Sequence, residues 1–424
     1  MGEDTEGAQG KVMGRTGVAG ALAAALAAGL FVPGARAIGD DWPHFRGPSH
    51  DGVSRETGWL EGWPEGSKPR VAWRAEVGSG HSAVAVSGGL AVTMGWDGRQ
   101  DTVFCFDAAT GATKWRASYP CEGRVQYPGP RATPTLDGGA AYTLSQRGHL
   151  RAWDAAGGRL RWERRLSEEC NPDDHYGHAW SPLVVGDLVI LPAGRRGLAL
   201  RKATGETAWG DDAGRATCAS AVPYAAAGRT GVIVTNADRD SVTVVGVDAR
   251  TGEELWRFAG WPEKYGAFCA SPVFLADKVF ITSGQEYHKS ARLAIEGRGA
   301  RKEWESRALG SNTGQCVVVG GHVYGVDCAR RALVCASWQT GEKVWEEKGF
   351  GAYGSLMAAD GKLLVMASEG HLVVAEAAPG AYREMRRAEN VVGETFTAPV
   401  LANGRIYCRD WRGRVVCLAT GRGP

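Results

Sequence analysis

The stretch "DARTGEELW" (residues 248–256) decides the fold, because near copies of it recur along the chain. They read "DAATGATKW" at 107–115 and "DAAGGRLRW" at 154–162, and shorter copies read "KATGETAW" at 202–209 and "WQTGEKVW" at 338–345. A phrase that returns at a nearly constant interval marks a structural repeat, not a single catalytic motif.

The tryptophans that end these phrases give the length of the repeat. Six of them follow one another at intervals of 41 to 48 residues: Trp115, Trp162, Trp209, Trp256, Trp304 and Trp345. Each interval contains four short runs rich in Val, Ile, Tyr and Trp, separated by turn residues. We therefore predict four antiparallel strands per repeat, labelled A to D, with "TG" in the C–D turn and the Trp on strand D.

The number of repeats follows from the A–B turns. Eight tight turns of this kind can be counted, from "GG" at 88–89 to "NG" at 403–404. The last module has no strand D, but Trp73 in "RVAWRAEV" (70–77) supplies one from the other end of the chain. Four-stranded sheets without helices must stack on each other. We predict an all-β fold: an eight-bladed β-propeller of four-stranded antiparallel blades over 70–424, closed by an N-terminal strand.

The first 37 residues have the pattern of a signal peptide. Lys11 and Arg15 precede an apolar run at 18–32, and "ARA" at 35–37 is a small-x-small cleavage site. No Cys follows the run, so a lipid anchor is not expected. We predict a periplasmic or extracellular protein without an integral membrane segment after cleavage. The net charge of +2 does not indicate nucleic acid, and we expect no such partner.

Residues 38–69 form a predicted N-terminal arm that contains "DWPHFRGP" (41–48). We expect Trp42 and Phe45 to pack this arm onto the barrel, and Arg46 to bond a carbonyl or a carboxylate. A direct contact with a ligand is the alternative.

The repeats resemble the PQQ-like (quinoprotein-type) propeller family, which includes quinoprotein dehydrogenases and the BamB-type outer-membrane assembly factor. "DWPHFRGPSHDGVS" (41–54) and "GPRATPT" (129–135) are similar to phrases of secreted PQQ-like propellers. The dehydrogenase branch implies pyrroloquinoline quinone (PQQ), Ca²⁺, a catalytic Asp and two adjacent cysteines. This sequence has no Cys-Cys pair, no CxxCH haem motif and few acids at the starts of inner strands. We therefore expect no cofactor, no metal and no catalytic residue.

Binding candidates lie where strand A begins, because the innermost strands surround the channel mouth on the face of the B–C turns and D–A connections. Aligning the repeats places eight residues there: His81, Arg131, Trp180, Cys218, Cys269, Asn312, Tyr353 and Phe396. With His178 from the preceding loop, we take as binding residues His81, Arg131, His178, Trp180, Asn312 and Tyr353. A guanidinium, an amide, imidazoles and aromatic rings suit a small polar or anionic ligand. The alternative is that they only plug the channel.

Two further features leave alternatives open. In "DDHYGH" (173–178), His175 and His178 offer a weak metal signal, and a solvated loop is the favoured interpretation. The ten cysteines contain no CxxC. Cys121 could pair with Cys170, and Cys408 with Cys417.

The leading interpretation is an exported, non-enzymatic binding or scaffold propeller. Its partner would be an unknown protein or a small anionic or glycan ligand. The alternative is a quinoprotein-type oxidoreductase that uses PQQ and Ca²⁺ to oxidise alcohols or sugars.

Overall fold

The computed structural model of the protein describes residues 39–123, 125–170, 176–238, 240–263, 268–284 and 287–420. The predicted signal peptide and His175 lie outside these residues. Strand β1 (Val53–Ser54) belongs to the N-terminal arm, and β2 (Arg70–Glu76) completes the last blade. One 3₁₀ turn, Glu168–Cys170, follows blade two.

The first four blades run outward from the innermost strand. Blade one contains β3 (Ala85–Ser87), β4 (Leu90–Trp96), β5 (Gln100–Asp107) and β6 (Thr113–Pro120). Blade two contains β7 (Thr135–Asp137), β8 (Ala140–Leu144), β9 (His149–Asp154) and β10 (Leu160–Arg165). Blade three contains β11 (Leu183–Val185), β12 (Leu188–Leu191), β13 (Leu198–Arg201) and β14 (Thr207–Gly210). Blade four contains β15 (Val222–Ala226), β16 (Arg229–Ala237), β17 (Ser241–Asp248) and β18 (Glu254–Pro262).

The remaining blades follow the same order. Blade five contains β19 (Val273–Leu275), β20 (Lys278–Ser283), β21 (Lys289–Glu296) and β22 (Gly299–Ser306). Blade six contains β23 (Val317–Val319), β24 (His322–Asp327), β25 (Ala332–Ser337) and β26 (Lys343–Lys348). Blade seven contains β27 (Ser355–Ala359), β28 (Lys362–Met366), β29 (Leu372–Glu376) and β30 (Glu384–Ala388). Blade eight contains β31 (Val400–Ala402), β32 (Arg405–Arg409) and β33 (Arg414–Ala419), with β2 outermost.

The described part of the chain therefore forms eight four-stranded units, and the predicted all-β propeller is confirmed. β2 pairs antiparallel with β33, and Trp73 lies opposite Cys417. The N-terminal strand closes the ring as predicted, because it covers the β33 edge that would otherwise remain unpaired. The residues described contain no helix long and apolar enough to cross a membrane.

The repeated phrase is a latch between neighbouring blades. Trp209 of blade three donates its indole N–H to the Ala249 carbonyl in the C–D turn of blade four, at 3.0 Å. Gly252 in that turn has a φ of 70°, and a Cβ there would meet the Trp209 ring at 2.5 Å. The same indole bond to the next blade joins five further pairs: Trp73–Ala108, Trp115–Ala155, Trp162–Lys202, Trp304–Trp338 and Trp345–Ala378.

The junction between blades four and five departs from this pattern. Blade five has no "TG" phrase, because its C–D hairpin turns tightly at 297–298. Trp256 therefore donates to the Tyr224 hydroxyl of its own blade, at 2.8 Å. The outer strands meet directly instead, through a parallel pair of Arg257 with Gly299.

A second set of bonds joins the blades around the channel. In each case a backbone N–H at the start of one strand A donates to the side-chain hydroxyl at the matching position of the next blade, at 3.0–3.1 Å. We call these residues the hydroxyl belt: Thr133, Ser181, Ser220, Ser271 and Ser355. Gln315 stands in the place of a hydroxyl residue in blade six.

The N-terminal arm lies inside the channel, where Trp42 packs it onto the barrel as predicted, in one core cluster with residues of blades one, seven and eight. Trp42 exchanges backbone bonds with Val86 of blade one, and β1 pairs parallel with β27 of blade seven. Asp41 and Glu56 bond the A–B turns of blades one and eight, so the arm enters and leaves on that face. The inner edges of the A strands have unpaired backbone groups, and the arm supplies partners for some of them.

Arg46 anchors the tip of the arm. Its buried guanidinium donates to the carbonyls of Asp51 and Cys316, both at 3.1 Å, and to the Gln315 side chain at 3.2 Å. The expected bond from Arg46 to a carbonyl is present, but it reaches across the channel instead of along a surface.

None of the ten cysteines is in a disulfide. Cys408 lies opposite Val416 and Cys417 lies opposite Tyr407, so the two side chains point to opposite faces of the sheet. The considered pairing of Cys408 with Cys417 is therefore excluded by register. Cys121 and Cys170 are buried separately, and Cys170 contacts His178.

Candidate ligand-binding cavity

A cavity of about 190 Å³ occupies the channel mouth. The chain just before each strand A builds its wall, and the D–A connections contribute Tyr127 and Tyr176. Trp42, Phe45 and Arg46 from the arm also line it. Because the arm enters from the A–B face, it closes the channel below this space. The cavity is therefore a blind pocket that faces the B–C turns and D–A connections.

One residue from each blade lines the cavity two positions before the hydroxyl belt. This wall ring consists of His81, Arg131, Ala179, Cys218, Cys269, Thr313, Tyr353 and Phe396. His81, Arg131 and Tyr353 thus lie where they were predicted, on one shared wall. Asn312 also lines the cavity, although Thr313 holds the ring position.

Trp180 does not line the cavity; Ala179 takes that place. Neighbouring residues of an extended segment point their side chains to opposite faces. An alignment that is wrong by one residue therefore exchanges a residue that lines the cavity for one that lies in the core. Trp180 is fully buried in the core between blades two and three, and its indole donates to the Thr217 carbonyl at 2.5 Å.

His178 also lies away from the cavity. It is fully buried, close to the Gln146 carbonyl and 3.5 Å from the Cys170 sulfur, and it packs edge-on against Trp180. Burial lowers the pKa of the His178 imidazole and raises the pKa of the Cys170 thiol to about 12. The pair is therefore neutral at physiological pH and lacks the thiolate that nucleophilic chemistry requires.

Arg131 is the cationic group of the wall ring. One terminal nitrogen, Nη2, donates to the Tyr127 carbonyl at 2.7 Å, and Nη1 is buried with no hydrogen-bond partner among the described residues. Burial lowers the pKa of the Arg131 guanidinium to about 10, so it remains charged near neutral pH. Cys218, Cys269 and Tyr176 are among the groups that interact with it electrostatically.

Aromatic rings form one side of the cavity. His81 stacks on Phe396 with ring centres 5.2 Å apart, and Tyr353 meets Phe396 edge-on at 4.5 Å. Tyr127 lies edge-on to Phe396 and stacks on Tyr176. This aromatic cluster of His81, Tyr127, Tyr176, Tyr353 and Phe396 offers flat apolar surface beside the guanidinium.

Several polar atoms on the wall lack a partner among the described residues. They are Nδ1 and Nε2 of His81, Nη1 of Arg131 and Oγ1 of Thr313. Burial and the nearby guanidinium of Arg131 hold the pKa of the His81 imidazole well below its usual value, so the ring is neutral. It therefore offers one donor and one acceptor. Buried polar atoms are nearly always hydrogen-bonded, so this cluster indicates a site for a polar ligand.

Sequence reasoning missed Tyr127 and Tyr176, whereas a ligand contact by the arm was given only as an alternative. The tyrosines lie in long D–A connections, whose path over the channel mouth is not encoded in a local pattern. Ala179 could have been found, because Ser181 of the hydroxyl belt provides an alignment anchor two residues further along.

The cavity wall does not fit the calcium–quinone pair of the dehydrogenases. Among the described residues, no Asp or Glu lines the cavity. Nor do those residues bring together three or more His, Cys, Asp or Glu side chains that could hold a metal ion. Ca²⁺ takes six to eight oxygen ligands, usually including carboxylates, so this wall lacks the groups that would hold it.

The fold and the cavity define a PQQ-like β-propeller. The family model described as outer membrane protein assembly factor BamB matches residues 99–347, more than half of the chain. The chain belongs to this family. No curated protein matches the sequence.

Solved structures show the same fold at low sequence identity. BamB from Moraxella catarrhalis has a TM-score of 0.63 at 18% identity and covers 83% of this chain and 100% of its own. A quinohemoprotein alcohol dehydrogenase from Comamonas testosteroni has a TM-score of 0.66 at 15% identity, with 91% and 81% covered. A europium-containing methanol dehydrogenase has a TM-score of 0.64 at 12% identity, with 87% and 89% covered.

Proposed function

We propose that this protein is an exported binding propeller that holds a small carboxylate ligand in its blind cavity. One observation carries the proposal: His81, Arg131 and Thr313 line one small cavity, and four of their buried polar atoms have no partners among the described residues. A ligand that satisfies them avoids the desolvation penalty of about 1–3 kcal/mol for each unsatisfied group.

The chemistry of the wall selects the ligand class. Arg131 Nη1 is a charged donor, and a carboxylate is the acceptor that matches a guanidinium best. The aromatic cluster then accepts a flat or apolar body. At about 190 Å³ the cavity is smaller than the roughly 300–1,000 Å³ typical of drug-sized ligands, so a compact acid fits and a polymer does not.

The periplasm or the extracellular space is the proposed location. It rests on the signal-peptide pattern of residues 1–37. The BamB-type relatives also make a scaffold for a protein partner a second candidate, which would use the outer surface and not the cavity.

The test is a binding screen with matched acid and amide pairs. Benzoate, cinnamate and succinate are compared with benzamide, cinnamamide and succinamide by isothermal titration calorimetry, at low and high salt. We expect the acids to bind and the amides to bind at least tenfold more weakly. Arg131→Gln should weaken acid binding by at least tenfold, because a hydrogen bond to a charged group contributes about 1.5–3 kcal/mol.

Arg412→Gln is the matched control. It removes a cation from an exposed B–C turn of the same face, outside the cavity, and should leave acid binding unchanged. Equal affinity for acids and amides, or an equal loss in both variants, would refute the carboxylate site.

The oxidoreductase alternative has its own test. Purified protein is incubated with PQQ and Ca²⁺, and dye-linked oxidation of alcohols and sugars is followed with the visible spectrum. Tight binding of the quinone with turnover would replace the proposed function.

A further inference from the structure

Two cysteines of neighbouring blades line the cavity. Cys218 and Cys269 hold equivalent wall-ring positions in blades four and five. Interaction with the Cys218 side chain raises the pKa of the Cys269 thiol. Two residues further along, Ser220 N–H donates to Ser271 Oγ at 3.0 Å, so the two blades are in register here.

A buried cation stands beside this thiol pair. Arg131 interacts electrostatically with both Cys218 and Cys269, and its Nη1 atom has no partner among the described residues. A guanidinium in this position stabilises negative charge on the sulfur atoms. Cys269 does not carry that charge without a ligand, because the Cys218 side chain and burial hold the pKa of its thiol well above the usual value.

We propose that Cys218 and Cys269 form a two-coordinate site for a soft monovalent metal cation, with Cu⁺ as its best representative. On binding, both S–H bonds break, two Cu–S bonds form and two protons leave to solvent. The oxidation states of copper and sulfur do not change. The resulting bis-thiolate complex carries one net negative charge, which the single positive charge of Arg131 offsets.

The donor set favours a soft monovalent ion over the common divalent ions. Thiolate ligands select Cu⁺, whereas Ca²⁺ and Mg²⁺ require oxygen ligands. Structural Zn²⁺ sites use four protein ligands, and the described residues contain no cluster of even three His, Cys, Asp or Glu side chains. Two sulfur atoms are enough for a linear Cu⁺ complex. This inference uses donor atoms that the carboxylate proposal does not use, although Arg131 takes part in both sites.

The experiment is an anaerobic titration of the full-length reduced protein with Cu⁺ against the chelator bicinchoninate. We expect one Cu⁺ bound in competition with the chelator, and X-ray absorption showing two sulfur ligands. Cys218→Ser and Cys269→Ser should each weaken binding at least a hundredfold, and Arg131→Gln at least tenfold. Zn²⁺ should not compete. Cys105→Ser is the matched control, since Cys105 is buried in β5 outside the cavity.

Two outcomes would overturn the site. One is unchanged stoichiometry and affinity in both Cys218→Ser and Cys269→Ser, with circular dichroism showing that the variants are folded. The other is a Cys218–Cys269 disulfide, found by mass spectrometry in protein whose thiols are alkylated before purification. If the protein binds Cu⁺ but does not bind carboxylates, the proposed function is refuted and the Cu⁺ site is not.

Discussion

Replacing Gly252 by Ala tests whether the repeated phrase acts as a latch between blades. Gly252 lies in the C–D turn of blade four with a φ of 70°, and a Cβ there would approach the Trp209 ring of blade three to 2.5 Å. Gly228, in the A–B turn of the same blade, has a φ of 82° and no atom within 4 Å of the corresponding Cβ. Both alanines are strained in the backbone, but only one collides with a neighbouring blade.

The expected losses in the free energy of unfolding follow from the backbone strain and from the collision with the Trp209 ring. A left-handed conformation costs a non-glycine residue about 1–2 kcal/mol, which is the whole effect expected for Gly228→Ala. Overpacking a filled core adds about 1–3 kcal/mol, so Gly252→Ala should lose about 2–5 kcal/mol in all. The aromatic ring cannot retreat easily, because its indole N–H is bonded to Ala249.

The assay is equilibrium unfolding in urea, followed by tryptophan fluorescence and by circular dichroism. A Gly252→Ala, Trp209→Phe double variant supplies the control, since a smaller ring should recover part of the added loss. Equal destabilisation by Gly252→Ala and Gly228→Ala would show that the positive φ alone explains the glycine and that the contact with Trp209 contributes nothing.

Three further predictions follow from the core and the closure. Trp162→Ala should lose about 3–5 kcal/mol in urea unfolding, and Trp96→Ala, half-buried at a B–C turn, should lose less than half as much. Burial raises the pKa of Asp101 to about 7, so the folded protein keeps a proton that the unfolded chain releases near pH 4. The free energy of unfolding should therefore fall by about 4 kcal/mol as the pH rises from about 4 to about 7. Asp101→Asn should abolish this pH dependence. Deleting residues 65–77 exposes the β33 edge and should cause aggregation in light scattering, whereas an unchanged melting temperature would contradict the closure.

The fold could be predicted because the repeat contains its own consistency test. Each copy of the phrase places a Gly and a Trp at fixed offsets, and the three full copies also place an Asp four residues before the Gly. In blade four, Asp248 accepts the backbone N–H groups of Arg250 and Thr251 at 2.9 and 3.0 Å. Gly252 then turns the chain, and Trp256 lies on the returning strand. A pattern built from local turn chemistry is visible in sequence, since the partners of the Asp side chain lie within a few residues.

The cavity was only partly predictable, because its wall depends on the register of single residues. Aligning Ser181-Pro182 with Ser271-Pro272 selects Ala179 for the wall and leaves Trp180 in the core. The Ser-Pro pairs are visible in the sequence, but the prediction of Trp180 as a wall residue did not rest on them. In blade six the serine is replaced by Gln315, so no anchor of this kind separates Asn312 from Thr313. The position of the arm depends on contacts with distant blades, which no local pattern contains.

The structure divides the channel into two levels, and this division bears on whether its polar residues plug the channel or bind a ligand. At the lower level, the hydroxyl belt and Arg46 are bonded between blades or across the channel, as a structural plug requires. At the upper level, His81, Arg131 and Thr313 line the cavity and have polar atoms without hydrogen-bond partners among the described residues. A plug that evolved only for stability would gain nothing from a buried guanidinium with an unpaired nitrogen, since each such group reduces stability. This contrast between the two levels supports the proposal that the upper level binds a ligand.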